Sequence, residues 1–250
     1  MQTLELNKIS YKNILSNINL KMESGNNISI LGNIGSGKST LAKILANKIE
    51  YKGTYLINKV EIVASNAYVV DRFVSLVDKN YLYDNERVVN ILFDELDEEE
   101  KVKKLVRYFD LNDILNIKMD DLSDENKYYI LIILNLLKKE SFLVIDDILC
   151  YLRVKQIDKI YKYAKKHKVT IINITSRLDD VFYSQYLICL YNSNIAMEGN
   201  ILNCLKEEKL LKRLGFKLPF MFDLSLQLNY YEVLDDIYLN SDEMVKKIWK

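Results

Sequence analysis

The chain has few residues that punctuate, cross-link or titrate near neutrality: 7 glycines, 1 proline, 3 cysteines and 1 histidine among 250 residues. So little glycine and proline leaves no low-complexity linker, and no internal repeat is visible. The length suits one large α/β domain with an appendage. Cys150, Cys189 and Cys204 lie far apart with no Cys-x-x-Cys spacing. That excludes a disulfide framework or a cysteine zinc site and fits a reducing cytoplasm. The one histidine, His167, sits in Lys165-Lys166-His167-Lys168 and reads as a solvated residue of a basic loop. Acidic and basic residues balance at 35 each, so no overall field draws the chain to nucleic acid, and no such partner is expected. Long hydrophobic runs are missing too. The longest, Tyr128 to Leu137, is interrupted by Asn135 and is too short to cross a bilayer. Met1-Gln2-Thr3-Leu4-Glu5 lacks the basic and apolar regions of a signal peptide. A soluble chain is expected, and any membrane role would need a separate membrane-embedded subunit.

Against these absences stands one intact motif. Gly32-Asn33-Ile34-Gly35-Ser36-Gly37-Lys38-Ser39-Thr40 fits G-x-x-x-x-G-K-[ST]. The apolar run Asn27–Leu31 reads as a buried strand leading in, and Thr40–Ala46 has helical periodicity leading out. Strand, glycine turn and helix start together make an anion site, because unpaired N–H groups and the positive end of the helix dipole face the same point. Glycines at 32, 35 and 37 allow backbone angles and close approaches that a Cβ forbids. Lys38 is placed for the β- and γ-phosphates and the Ser39 hydroxyl for a Mg²⁺ ion. The motif points to a nucleoside phosphate.

Strand-like and helix-like runs alternate along the chain, the pattern of a mainly parallel sheet wrapped by helices. Strands are expected near Leu4–Ile9, Ile18–Met22, Ile28–Leu31, Gly53–Ile57 and Val74–Val77. A helical middle follows. Asp97-Glu98-Glu99-Glu100 opens one helix with acidic residues in its first turn, which suits the dipole. Asn126–Leu137 reads as a largely buried helix, and Phe142–Ile145 and Val169–Ile174 as interior strands. After about residue 200 the texture turns to short amphipathic helices around Pro219, the last capped by Asn240 with Glu243 three residues on. The expected fold is α/β: a phosphate-loop (P-loop) NTPase core with a mainly parallel sheet, antiparallel N-terminal strands, an inserted helical subdomain and a small helical C-terminal extension. Its domain limits are 1–200, with the helical subdomain at about 79–140, and 201–250 for the extension.

The second element of a phosphate site is Phe142-Leu143-Val144-Ile145-Asp146-Asp147, four apolar residues ending in two carboxylates. A buried strand of this kind delivers an Asp to the metal beside a phosphate loop. Asp146 would hold Mg²⁺, directly or through water, and Asp147 would polarise the attacking water. With both elements in place the chain resembles the ATP-binding cassette (ABC) ATPases over nearly its full length. The resemblance implies ATP and Mg²⁺ as cofactors. It makes Tyr11, in Ile9-Ser10-Tyr11-Lys12, the aromatic residue that stacks on adenine. Leu122-Ser123-Asp124-Glu125-Asn126 stands where the family has its L-S-G-G-Q signature, about twenty residues before the Asp146 strand. Leu211–Phe220, with Leu214-Gly215-Phe216-Lys217-Leu218-Pro219, resembles the tail of energy-coupling-factor (ECF) transporter ATPases. An ordinary amphipathic helix pair is the alternative for that segment.

The departures from the pattern are as plain as the match. The glycines are 25, 32, 35, 37, 53, 199 and 215, so no Gly-Gly pair exists and a normal signature loop is impossible. Asp124 and Glu125 would bring negative charge toward a partner's γ-phosphate, a repulsion of kcal/mol scale at intermediate dielectric. Thr175-Ser176 replaces Thr-His, so Ser176 takes the switch position. Asp147 replaces a Glu, Lys79 falls at or near the metal-sensing Gln, and Arg153 replaces an Asp. These changes fall on hydrolysis and dimer chemistry while the binding loop stays whole, so weak intrinsic hydrolysis is expected, with Asp147, Ser176 and Lys79 as the candidate catalytic positions.

The resemblance implies an ATP-binding subunit of an ECF-type importer of a vitamin or metal ion, peripheral on the inner face of the cell membrane. Its partners would be a second, more regular ATPase subunit, with residues 201–250 as the dimerisation region, and an integral membrane subunit. The latter would dock around Lys79–Phe93, where Tyr81, Tyr83 and Phe93 are either anchors or simply subdomain packing. A non-transport ATP sensor or assembly scaffold is the alternative. A small-molecule kinase or GTPase is a third class, although Asn58-Lys59-Val60-Glu61 comes too early and ends wrongly for guanine recognition.

Overall fold

The computed structural model describes residues 1–238 and 244–246, so the expected cap at Asn240 and Glu243 lies outside the described residues. The chain opens with β1 (Thr3–Tyr11), β2 (Leu15–Glu23), β3 (Ile28–Gly32), α1 (Lys38–Leu45), β4 (Lys52–Ile57), β5 (Val60–Glu61) and β6 (Val74–Val77). Helices α2 (Val88–Leu96), α3 (Glu99–Phe109) and α4 (Asp124–Leu137) come before β7 (Phe142–Asp146). Then come α5 (Val154–Lys166), β8 (Thr170–Thr175), β9 (Tyr186–Tyr191), β10 (Asn194–Asn200), α6 (Ile201–Lys206), α7 (Glu208–Arg213) and α8 (Phe220–Tyr230).

Two sheets result. The smaller is antiparallel in the order β2-β1-β4-β5; the larger runs β10-β9-β3-β8-β7-β6. In the larger sheet β9, β3, β8, β7 and β6 are parallel and β10 is an antiparallel edge. The interior strands have the continuous apolar sequences that burial on both faces demands: every residue of β3, β7 and β8 is buried. Helix α1 buries Leu41, Ile44 and Leu45 in a core shared by both sheets, with Leu4, Leu6, Ile30, Val144 and Ile172. The Tyr55 hydroxyl of the small sheet donates to the Leu45 carbonyl at 2.9 Å, satisfying one of the helix's terminal acceptors.

A second core joins α2–α5 to the other face of β7 and β8 through Leu143, Ile145 and Ile171. There α4 is capped by Ser123, whose hydroxyl accepts the Asn126 N–H. The helix expected to open at Asp97 begins at Glu99 instead, because Asp97 takes φ 52° and closes α2. A third core holds the C-terminal helices against Leu31, Leu178, Val181 and Leu187. The β9–β10 hairpin was not read from the sequence. Strand β10 alternates exposed and half-buried residues with none buried, and Ala196 and Gly199 blur that alternation in the sequence. Among the described residues, no helix is long and apolar enough to cross a membrane.

Candidate functional site

Parallel pairing brings the motifs together. In the central sheet β3 pairs with β8 and β8 with β7, so Leu31 is level with Thr175, and Asp146 with Ile174. The phosphate loop, the Asp146-Asp147 end and Ser176 therefore share the C-terminal edge, where parallel α/β sheets bind ligands.

The loop's shape is set by glycine at two positions above all. Gly37 takes φ 98°, and a Cβ there would stand 2.6 Å from Leu15 Cδ2 and 2.9 Å from the Ile14 carbonyl. At Gly32 a Cβ would stand 2.4 Å from Ser36 Oγ and 2.8 Å from the Leu190 carbonyl. Helix α1 starts from Gly37 with no side-chain cap and no acidic residue in its first turn. Its leading N–H groups are left for an anion. Ser36 Oγ is buried without a hydrogen-bond partner, a polar atom at the place where phosphate oxygens would satisfy it. Asn33, Ile34, Gly35 and Ser39 face solvent, Thr40 is half-buried, and Ser36, Gly37 and Lys38 are buried.

The Ser39 hydroxyl donates to Asp146 Oδ1 at 3.2 Å, so the two proposed metal ligands are neighbours. Burial first, then Asp147 and Asp78, push the Asp146 carboxyl above its usual range against the opposing pull of Ser39 and Lys38. Burial lowers Lys38 while Asp147 and Asp146 hold its charge. Mg²⁺ fits a hydroxyl and a carboxylate side by side. Among the described residues, no three His, Cys, Asp or Glu side chains are placed to hold a metal alone. The ion would need phosphate oxygens as further ligands.

Asp147 takes φ 57° and donates its N–H to the Ile174 carbonyl at 2.9 Å. Lys79, exposed beyond β6, lies 5.1 Å from the Tyr151 ring centroid. Tyr151 first, and Asp147 after it, hold its ammonium above the usual lysine range. Ser176 is half-buried directly after β8. The Thr175 hydroxyl beside it donates to Asp180 Oδ2 at 2.9 Å and accepts the Arg177 N–H at 3.0 Å. Sequence reasoning missed Arg177 and Asp180; the signal available was a charged Arg-Leu-Asp-Asp run straight after a buried strand. Tyr11 ends β1 half-buried, with the Lys12 ammonium 5.1 Å from its ring centroid. The turn after Tyr11 abuts the phosphate loop, through Ile14 against Gly37.

Two features recast the sequence reading. Glu125 does not stand alone: Arg153 Nε lies 3.0 Å from its carboxylate, so two departures from the family pattern meet and offset each other's charge. Tyr81 donates to Asn135 at 3.3 Å and Tyr83 to Asp120 at 2.9 Å. Their hydroxyls are used within the subdomain, and the outward apolar groups of this segment are Leu82, 91% exposed, and Phe93, 38% exposed.

The sequence pattern of the ABC transporter family matches residues 15–149, over half of the chain. The chain is similar to the "Energy-coupling factor transporter ATP-binding protein EcfA2" of Acetivibrio thermocellus, 29% identical over 83% of this chain and 80% of that protein. It is also similar to the "Energy-coupling factor transporter ATP-binding protein EcfA" of Aster yellows witches'-broom phytoplasma, 28% identical over 89% and 85%. Its fold matches a solved "ATP binding subunit of ABC transporter" with a TM-score of 0.72 and 19% identity, covering 85% of this chain and 99% of that one.

Proposed function

The chain belongs to the ABC transporter family as an ATPase domain, and from that premise we propose that it is the ATP-binding subunit of an ECF-type importer. The observation that carries the nucleotide reading is Ser39 at 3.2 Å from Asp146 beside buried Lys38. The names of its relatives support the transporter class. Lys38, the N–H groups of residues 35 and 37–40 and the Ser36 hydroxyl hold the phosphates, Ser39 and Asp146 take the metal, and Tyr11 meets adenine. Bound Mg²⁺ neutralises phosphate charge and orients the chain of phosphoryl groups. Asp147 orients water, with Lys79 at or near the metal-sensing glutamine position and Ser176 at the switch position.

Hydrolysis is weak in the isolated chain. Asp147 is one methylene short of the usual Glu, and Ser176 lacks the reach and charge of an imidazole. Displacing a catalytic group by about 1 Å costs on the order of a hundredfold. The chain therefore pairs with a more regular ATPase, through residues 201–250 among others, beneath a membrane subunit that docks around residues 79–93. It lies on the inner face of the cell membrane and energises uptake of a small nutrient, a vitamin or metal ion. Calorimetry with Mg-ATP against a Lys38→Ala control tests the nucleotide reading. Steady-state phosphate release tests the rest: slow alone and faster with the partner is expected, and full turnover by the isolated chain would refute weak hydrolysis.

A further inference from the structure

We propose that Asn33 is a positioning residue that clasps the C-terminal extension to the phosphate loop, coupling the extension to nucleotide occupancy. The proposal rests on the reading that this loop binds ATP. Asn33 Nδ2 donates to the Leu214 carbonyl at 2.6 Å across 181 positions of sequence. That carbonyl sits at the C-terminus of α7, where a helix leaves its last acceptors unmatched. Asn33 supplies the missing donor. The approach is close because residue 215 is glycine: it takes φ 86°, and a Cβ there would stand 3.1 Å from Asn33 Nδ2.

The same residue holds the other side of the site. Its carbonyl accepts the Lys38 ammonium at 3.0 Å and the Ser36 N–H at 3.1 Å. One peptide thus carries the phosphate-binding lysine on its carbonyl and the extension on its side chain. The attachment point is rigid on both sides. Leu214 and Phe216 are buried in one apolar cluster with Leu31, the strand residue before the loop, and with Leu178 and Val181, just beyond Ser176. A shift of the loop at residue 33 must either carry α7 with it or break the bond. By reciprocity, whatever the clasp does for ATP affinity, ATP does for the clasp.

Hydrogen exchange with and without Mg-ATP, alongside calorimetry, tests this on the full chain. The amides of Gly215 and Phe216, bonded to Lys212 and Leu211 carbonyls, report closure of the α7 end. Mg-ATP should slow their exchange in the wild-type chain. Asn33→Ala should weaken ATP binding by about threefold to tenfold, the worth of one net hydrogen bond, and abolish the ATP-dependent protection at 215–216. Gly215→Ala should act in the same direction, and the double variant should cost less than the two single effects combined. A wild-type chain that binds ATP in a Lys38-dependent way, yet shows no change at 215–216, would overturn the clasp; that measurement needs no variant to fold. A wild-type chain that fails to bind ATP would instead overturn the nucleotide reading beneath it. A merely structural Asn33 would lower thermal stability and leave ATP-dependent protection at 215–216 in place.

Discussion

Replacing Asp146 by asparagine separates what the carboxylate does for the fold from what it does for a nucleotide. Asparagine keeps an oxygen for the Ser39 hydroxyl, which lies 3.2 Å from Oδ1. It removes a charge that burial, Asp147 and Asp78 disfavour. Unliganded stability should hold or rise by up to about 1 kcal/mol. Ligand stabilisation behaves in the opposite way. At a nucleotide concentration a hundred times Kd, binding adds about 2.7 kcal/mol. Losing a charge-assisted contact of roughly 1.5–3 kcal/mol weakens affinity by roughly ten- to a hundredfold. The stabilisation then falls to about 1.4 or 0.4 kcal/mol. For a chain of this length each kcal/mol moves Tm by roughly 2–4 °C, so the Mg-ATP shift should shrink by roughly 3–9 °C.

Thermal melts with Mg-ATP, with ATP plus a chelator, and with neither would read both effects. The pH dependence carries a further sign. Because the Asp146 pKa is raised in the fold, its stability term is present at low pH and is lost as pH rises through that raised value. The Asp146→Asn variant lacks this loss. Mg-ATP affinity runs the other way, increasing over the same window as the metal ligand deprotonates. A variant with the full Mg-dependent shift, or with an unliganded Tm lowered by more than about 5 °C, would refute the assignment of Asp146 as a metal ligand rather than a structural acceptor.

Two glycines of the loop should differ sharply on substitution. Gly37→Ala meets Leu15 and the Ile14 carbonyl as well as an unfavourable φ and should cost about 2–4 kcal/mol in chemical denaturation. Gly35→Ala, at φ 82° in open space, should cost about 1 kcal/mol. Arg153→Ala should lower stability by less than about 1 kcal/mol, since the Arg153 side chain that pairs with Glu125 is 76% exposed. It should weaken capture of the partner ATPase in Mg-ATP by uncovering the Glu125 charge, and adding Glu125→Gln should restore it. Leu82→Asp should leave Tm unchanged yet weaken co-purification with the membrane subunit, because the side chain is 91% exposed.

The parts of the fold legible in the sequence are those whose burial is continuous or strongly one-sided. Strands β3, β7 and β8 are buried throughout, so their apolar runs mark them without reference to neighbours. Strand β10 only alternates exposed with half-buried positions and is held by pairing with β9, a relation that no local pattern records. The same division runs through the site. Local chemistry announces the phosphate loop, because its glycines and Lys38 are adjacent in sequence. Asp146 is suggested only with that loop upstream, since a buried strand ending in carboxylates is by itself more often a core strand running into an acidic turn. The clasp from Asn33 to Leu214 and the ion pair from Arg153 to Glu125 join residues far apart in sequence. Only the topology makes them neighbours.

That ion pair bears on how the altered motifs should be understood. Unrelated losses would leave each new charge uncompensated. Here the carboxylate in the signature position is met at 3.0 Å by the guanidinium that replaces an aspartate. The pair brings a cation to an anion in the first turn of α4, the helix start that the proposed function turns toward a partner. With the Arg153 side chain 76% exposed, the pair contributes little to folding, so stability does not account for the match. Electrostatic complementarity acts on association and specificity instead. On the proposed function, the pair fits a subunit whose surface is matched to one particular partner, and it sets a direct expectation. Restoring a single family residue, such as Arg153→Asp, should weaken pairing rather than improve it, by placing a second carboxylate beside Glu125. Tighter capture of the partner by that variant would sink the idea of a co-adapted set.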